Sequence, residues 1–82
     1  MSESTTDRIV RLIAERRDTI ASIRATYDTT TNEWHEYRNE STELANLSVA
    51  VKGFGYVGLG DADQATIDEL IAIEDENIGS WN

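Results

Sequence analysis

Residues 28–32 read Asp28-Thr29-Thr30-Thr31-Asn32. Whether one helix runs through these five residues decides the fold. All are short or β-branched polar residues, and such residues are poor helix formers because their side chains compete for nearby backbone groups. They suit a turn, with Thr30 capping a new helix and Glu33 closing a capping box. The flanking pattern points the other way. Ile9, Ile13, Arg16, Ile20, Ile23, Tyr27, Thr30, Trp34, Tyr37, Ser41, Leu44, Ser48 and Val51 are separated by alternating steps of four and three, the spacing of a coiled-coil seam. Nine of these thirteen positions are apolar or aromatic, and Leu47 stands beside Ser48 as a substitute. The seam keeps its phase across the threonines, which a loop does not require. The chain has no proline, and its first glycine is Gly53, so the strongest helix breakers are missing before that point. The unbroken phase favours one long N-terminal helix of about 45 residues, roughly 68 Å long, beginning near Thr5, Thr6 or Asp7. A helical hairpin turning near 28–32 is the alternative.

The seam ends in a different kind of sequence. Residues 49–60 read VAVKGFGYVGLG, an apolar run leading into G-x-G-x-x-G at Gly53, Gly55 and Gly58. Over Val49 to Leu59 this resembles the start of the nucleotide-binding domain of UDP-sugar dehydrogenases, where a strand runs into GxGYVG. The resemblance implies a strand, a tight turn and a phosphate-binding helix, with Glu74 near the place of a ribose-binding acid. That chemistry needs a helix N-terminus set in an open parallel sheet. Only 22 residues follow Gly60, and Asp61 and Asp63 would set carboxylates where phosphates belong. The expectation is therefore a Gly-rich apolar loop over 53–60, with no cofactor. Phe54, Tyr56, Val57 and Leu59 would then fill a small core or dock on a neighbour.

A short C-terminal helix is expected over about 62–78, capped by Asp61 or Asp63, with Ile67, Leu70, Ile71, Ile73 and Ile78 as its apolar face and Gly79 as its stop. Glu74, Asp75 and Glu76 crowd its end, where the helix dipole prefers cations. A basic surface, such as the arginine-bearing front of the chain, would relieve them. The expected fold is all-α, in one small domain spanning 1–82.

Charge sharpens the functional reading. The net charge is −9, from 16 acids against six arginines and Lys52. Residues 1–27 carry five arginines and four acids, whereas residues 53–82 carry seven acids and no basic side chain. Free nucleic acid would be repelled. An acidic, lysine-poor surface suits concentrated salt, which fits a halophilic host or a virus of one, and it equally fits an ordinary acidic protein; folding indifferent to salt would refute the salt-adapted reading. No stretch approaches the ~18 apolar residues of a membrane span, and MSESTTDRIV lacks a secretory pattern. A cytoplasmic or virion location follows as an expectation.

Catalytic and metal-binding residues are not expected. His35 has Glu36 and Asn39 within helical reach but no nucleophile at a matching spacing. Ser41 and Ser48 are seam defects. Asp61, Asp63, Asp68 and Glu69 lack the twelve-residue calcium-loop pattern. The chain has no cysteine. The sequence reads as a non-enzymatic acidic helical interaction protein that assembles with its own copies or docks on a larger partner. The expected interface residues are Ile9, Ile13, Ile20, Ile23, Tyr27, Trp34, Tyr37, Leu44, Phe54, Tyr56, Leu59 and Trp81. The alternative is an acidic decoy or inhibitor that imitates nucleic acid before a basic cleft, and nucleotide binding at the glycine loop ranks behind both.

Overall fold

A computed structural model describes the backbone of residues 3–79 and the side chains through Asn77. Trp81, expected at an interface, lies outside the described residues. The fold is all-α. Helix α1 spans Thr5–Arg24, α2 spans Asn32–Phe54, a 3-10 turn covers Tyr56–Gly58, and α3 spans Asp61–Gly79.

The hairpin, and not the continuous helix, is the observed architecture. Ser4 caps α1 by accepting from the Asp7 amide at 3.1 Å. The helix closes at Arg24, and the chain turns through 25–31. Within the turn, the Asp28 carboxylate accepts from both the amide and the hydroxyl of Thr30 at 2.9 Å. Thr31 donates its hydroxyl to the Asp28 carbonyl at 2.7 Å and accepts from the Trp34 amide at 3.3 Å, so the cap of α2 is Thr31, one residue after the expected Thr30. The turn thus satisfies its own backbone with side chains, which a helix through the same residues would forfeit. The Thr30 amide also holds the Asp28 carboxyl below its ordinary range.

Contacts between the arms fix their direction. Arg24 sits over Trp34, Arg17 meets Ser41, and Arg16 meets Glu40. From Arg24 back to Arg17 and Arg16 the partners move forward from Trp34 to Ser41 and Glu40, so the arms are antiparallel. The two halves of the apolar seam therefore face each other. Ile9, Ile13 and Ile20 from α1 meet Leu44, Leu47 and Val51 from α2, and all are buried. At about 0.8 kcal/mol per buried methylene, closing the seam on itself outweighs the intrinsic helix preference of a handful of turn residues, each worth only a fraction of that.

The glycine segment is the end of a helix, with no strand. Val49 to Phe54 continue α2, which stops at Gly55, where φ is +75°. Glycine populates that region without the steric cost other residues bear. The Gly55 amide bonds back to the Val51 carbonyl at 2.9 Å. The strand–turn–helix implied by the resemblance to sugar-nucleotide dehydrogenases is absent, and the expected loop over 53–60 is shortened to 55–60. Tyr56 and Leu59 turn inward onto the core, while Phe54 and Val57 point out.

Helix α3 then lies across the hairpin. Ile67 is fully buried in the shared core, and Leu70 and Ile71 pack against it. The molecule measures 42 × 35 × 22 Å. Two contacts fix the start of α3: the Gln64 side-chain amide donates to the Tyr56 carbonyl at 3.0 Å, and the Tyr56 hydroxyl donates to Asp68 at 2.7 Å. The Asp68 bond raises the Tyr56 pKa.

Candidate docking trough

The residues expected at an interface divide into three groups. Ile9, Ile13, Ile20 and Leu44 are buried in the chain's own core, which removes the reason for another subunit to cover them. Ile23, Trp34, Tyr37, Tyr56 and Leu59 are half-buried. Tyr27 is 39% exposed and Phe54 74% exposed. Among these residues exposure falls at the two ends of the hairpin, at Tyr27 and at Phe54.

At the turn end, the Arg24 and Arg38 guanidinium carbons each lie 5.6 Å from the centre of the Trp34 ring. His35, which is exposed, meets Trp34 edge-on at 5.1 Å. Tyr27 stacks on Tyr37 at 5.9 Å. These aromatic and cation–π contacts close the end of the core. At the opposite end Val49, Phe54 and Val57 are 70%, 74% and 89% exposed.

Opposite charges meet where α3 finishes on α1. Glu74 receives Arg8 Nε at 2.8 Å and lies 2.8 Å from Arg11 Nη1. Asp75 takes a second bond from Arg8 at 2.8 Å, and Arg11 also grips both oxygens of Glu3 at 2.9 Å. The basic front and acidic back thus meet within one chain. Arg11, with Arg8 behind it, holds the Glu74 carboxyl below its ordinary value, and Arg11 likewise lowers Glu3.

Among the described residues, Asp61, Asp63, Asp68 and Glu69 of α3 form no ion pair. Between α2 and the start of α3 is a groove of about 600 Å³, floored by Leu44 and Leu47 and rimmed by Glu40, Glu43, Asp63 and Glu69. Among the described residues, Glu43, Asp63 and Glu69 form no ion pair, and Glu40 has only a long contact with Arg16 at 3.5 Å. A second groove, of about 440 Å³, lies between α1 and the end of α3, lined by Leu12, Glu15, Arg16, Thr19, Leu70, Ile73, Glu74 and Asn77. A third, smaller cavity joins them, lined by Arg16, Glu40, Leu44, Thr66, Glu69, Leu70 and Ile73. Together they form one trough alongside α3, acidic at the α2 end, with Leu44, Leu70 and Ile73 set between Arg16, Glu40 and Glu69 in the middle, where Ile73 is 44% exposed.

Of the residues expected to make contacts, only Leu44 lines this trough. The rest of its wall was missed because it combines Glu40 and Glu43 with residues of α3 that only the tertiary fold brings near. One signal was present: Asp63, Thr66, Leu70, Ile73 and Asn77 follow steps of three and four, a single stripe on α3.

Among the described residues, no group of three or more His, Asp or Glu is placed to hold a metal ion, and no helix is long and apolar enough to cross a membrane. No protein-family model, curated protein or solved structure matches the chain.

Proposed function

We propose that this chain is a non-enzymatic acidic interaction protein that engages a basic protein partner through the trough beside α3. The observation that carries this reading is the uncompensated carboxylate rim of Glu43, Asp63 and Glu69 around an apolar floor. The acids near the end of α3 are paired with Arg8 and Arg11, whereas these three line a concave surface without an ion-pair partner among the described residues. Concave, low-dielectric walls of one sign focus the field and speed the encounter with an oppositely charged partner. A decoy or inhibitor that occupies a basic cleft in place of nucleic acid is one form of this function.

Titration of the isotopically labelled protein with an arginine-rich peptide at low and physiological salt tests the reading. Amide shifts should concentrate at Glu40, Glu43, Asp63 and Glu69 and shrink as salt rises. Shifts spread evenly over all acidic positions would defeat it.

Self-assembly is the second reading, supported by the exposure of Val49, Phe54 and Val57 at the end of the molecule. Exposed apolar side chains grouped at one end are the kind of surface a second copy covers. Sedimentation equilibrium should then show a dimer that Phe54→Ser with Val57→Ser converts to a monomer.

A further inference from the structure

We infer that the occupant of the trough is an amphipathic α-helix from a basic partner protein, lying alongside α3 with apolar side chains over Leu70 and Ile73 and cationic side chains against Glu43, Asp63 and Glu69. The inference rests on the function proposed above and specifies the form of the partner.

Three features select a helix. The trough is walled by helix flanks, and beyond the first turn of α3 at Asp63 their backbone amides and carbonyls are engaged within helices. An extended peptide would find no strand edge to pair with, whereas a helix brings its hydrogen bonds with it. The wall itself has helical periodicity: Asp63, Thr66, Leu70, Ile73 and Asn77 form the ridge against which a neighbouring helix packs. The length is also suitable, since the ridge from Asp63 to Asn77 extends about 21 Å, which a helix of about 14 residues spans.

Charge selects the partner. Each copy of this chain carries a net charge of −9. A second copy would bring like charge to the carboxylate end, and nucleic acid would bring phosphates there; both are opposed by Coulomb repulsion. A helix with arginine or lysine in its first or last turns meets Glu43, Asp63 and Glu69, which have no ion-pair partner among the described residues. Its apolar stripe meets Ile73, which is 44% exposed.

Two peptides of about 14 residues and identical composition test this by fluorescence anisotropy and circular dichroism. One places four apolar residues at helical spacing with arginines at one end; the other has the same residues scrambled. The amphipathic peptide should bind about tenfold or more tightly and gain helicity on binding. Ile73→Gln, a partly exposed position, should remove that advantage, with an unchanged melting curve showing that the fold is intact. Glu43→Lys should weaken both peptides. If the two peptides bind equally and Glu43→Lys weakens both, the helical occupant is refuted while the cationic-partner function stands. If neither binds, both fall. Shifts confined to the trough on raising the protein concentration alone would replace the foreign helix with a second copy and refute the inference.

Discussion

Glu74 on α3 lies 2.8 Å from Arg11 on α1, and its other oxygen receives Arg8. The sequence sets this carboxylate near the unfavourable end of a helix dipole, and the fold answers with two guanidiniums from the opposite end of the chain. With Asp75, which also takes Arg8, the pair ties the end of α3 to α1 beside the buried Ile67.

Because Glu74 titrates below its ordinary value of 4.5 in the folded chain, it contributes stability that is present above that value and lost as pH falls through its folded pKa. Glu74→Gln should lower the melting temperature at neutral pH. The gap from the parent protein should narrow steadily below about pH 4.5. Thermal melts at a series of pH values measure it, and a gap independent of pH would mean that the carboxylate charge is not what holds α3.

The hairpin can be distinguished from the continuous helix by a distance. Spin labels at Arg17→Cys and Ser41→Cys would be about 36 Å apart on an unbroken helix. In the folded hairpin Arg17 Nε lies 3.5 Å from the Ser41 hydroxyl, so pulsed dipolar spectroscopy should report less than half the helical separation.

Thr31→Ala removes the cap of α2 and should cost about 1 kcal/mol in denaturant unfolding. Thr29→Ala, at an exposed position with no capping bond, should change stability by less than about 0.5 kcal/mol. Equal effects would show that Thr31 does not set the helix start.

The glycines of the G-x-G-x-x-G run should respond in opposite directions. Gly53 lies in the last turn of α2 with open space around it, so Gly53→Ala should stabilise by roughly 0.5–1 kcal/mol. Gly55 has φ +75°, and Gly55→Ala should destabilise by about 1 kcal/mol or more. Under a nucleotide-loop role the substitutions would be judged by ligand binding; here unfolding midpoints alone separate them.

Ile67→Ala should cost about 2–5 kcal/mol, because Ile67 is fully buried where α3 meets the hairpin. A loss below about 1 kcal/mol would mean that α3 contributes little to the core.

Local chemistry made much of this fold legible. The helical class, the stop at the glycines, the third helix and the membership of Ile9, Ile13, Ile20, Leu44 and Val51 in an apolar face follow from periodicity and residue type. The attraction between the arginine-rich front and Glu74–Glu76 was also legible as a charge imbalance. Periodicity could not reveal what covers that face. A seam that keeps phase through Asp28–Asn32 fits a rod covered by other chains or a hairpin covered by itself, because phase records spacing along the chain and not direction. Closure depended on bringing Leu44, Leu47 and Val51 onto α1, a long-range gain in burial that no local preference expresses. The trough is a consequence of that closure. Glu40 and Glu43 belong to one helix and Asp63 and Glu69 to another, and only the folding of α3 over the hairpin, with Arg8 and Arg11 committed to its far end, leaves these four carboxylates facing one hollow.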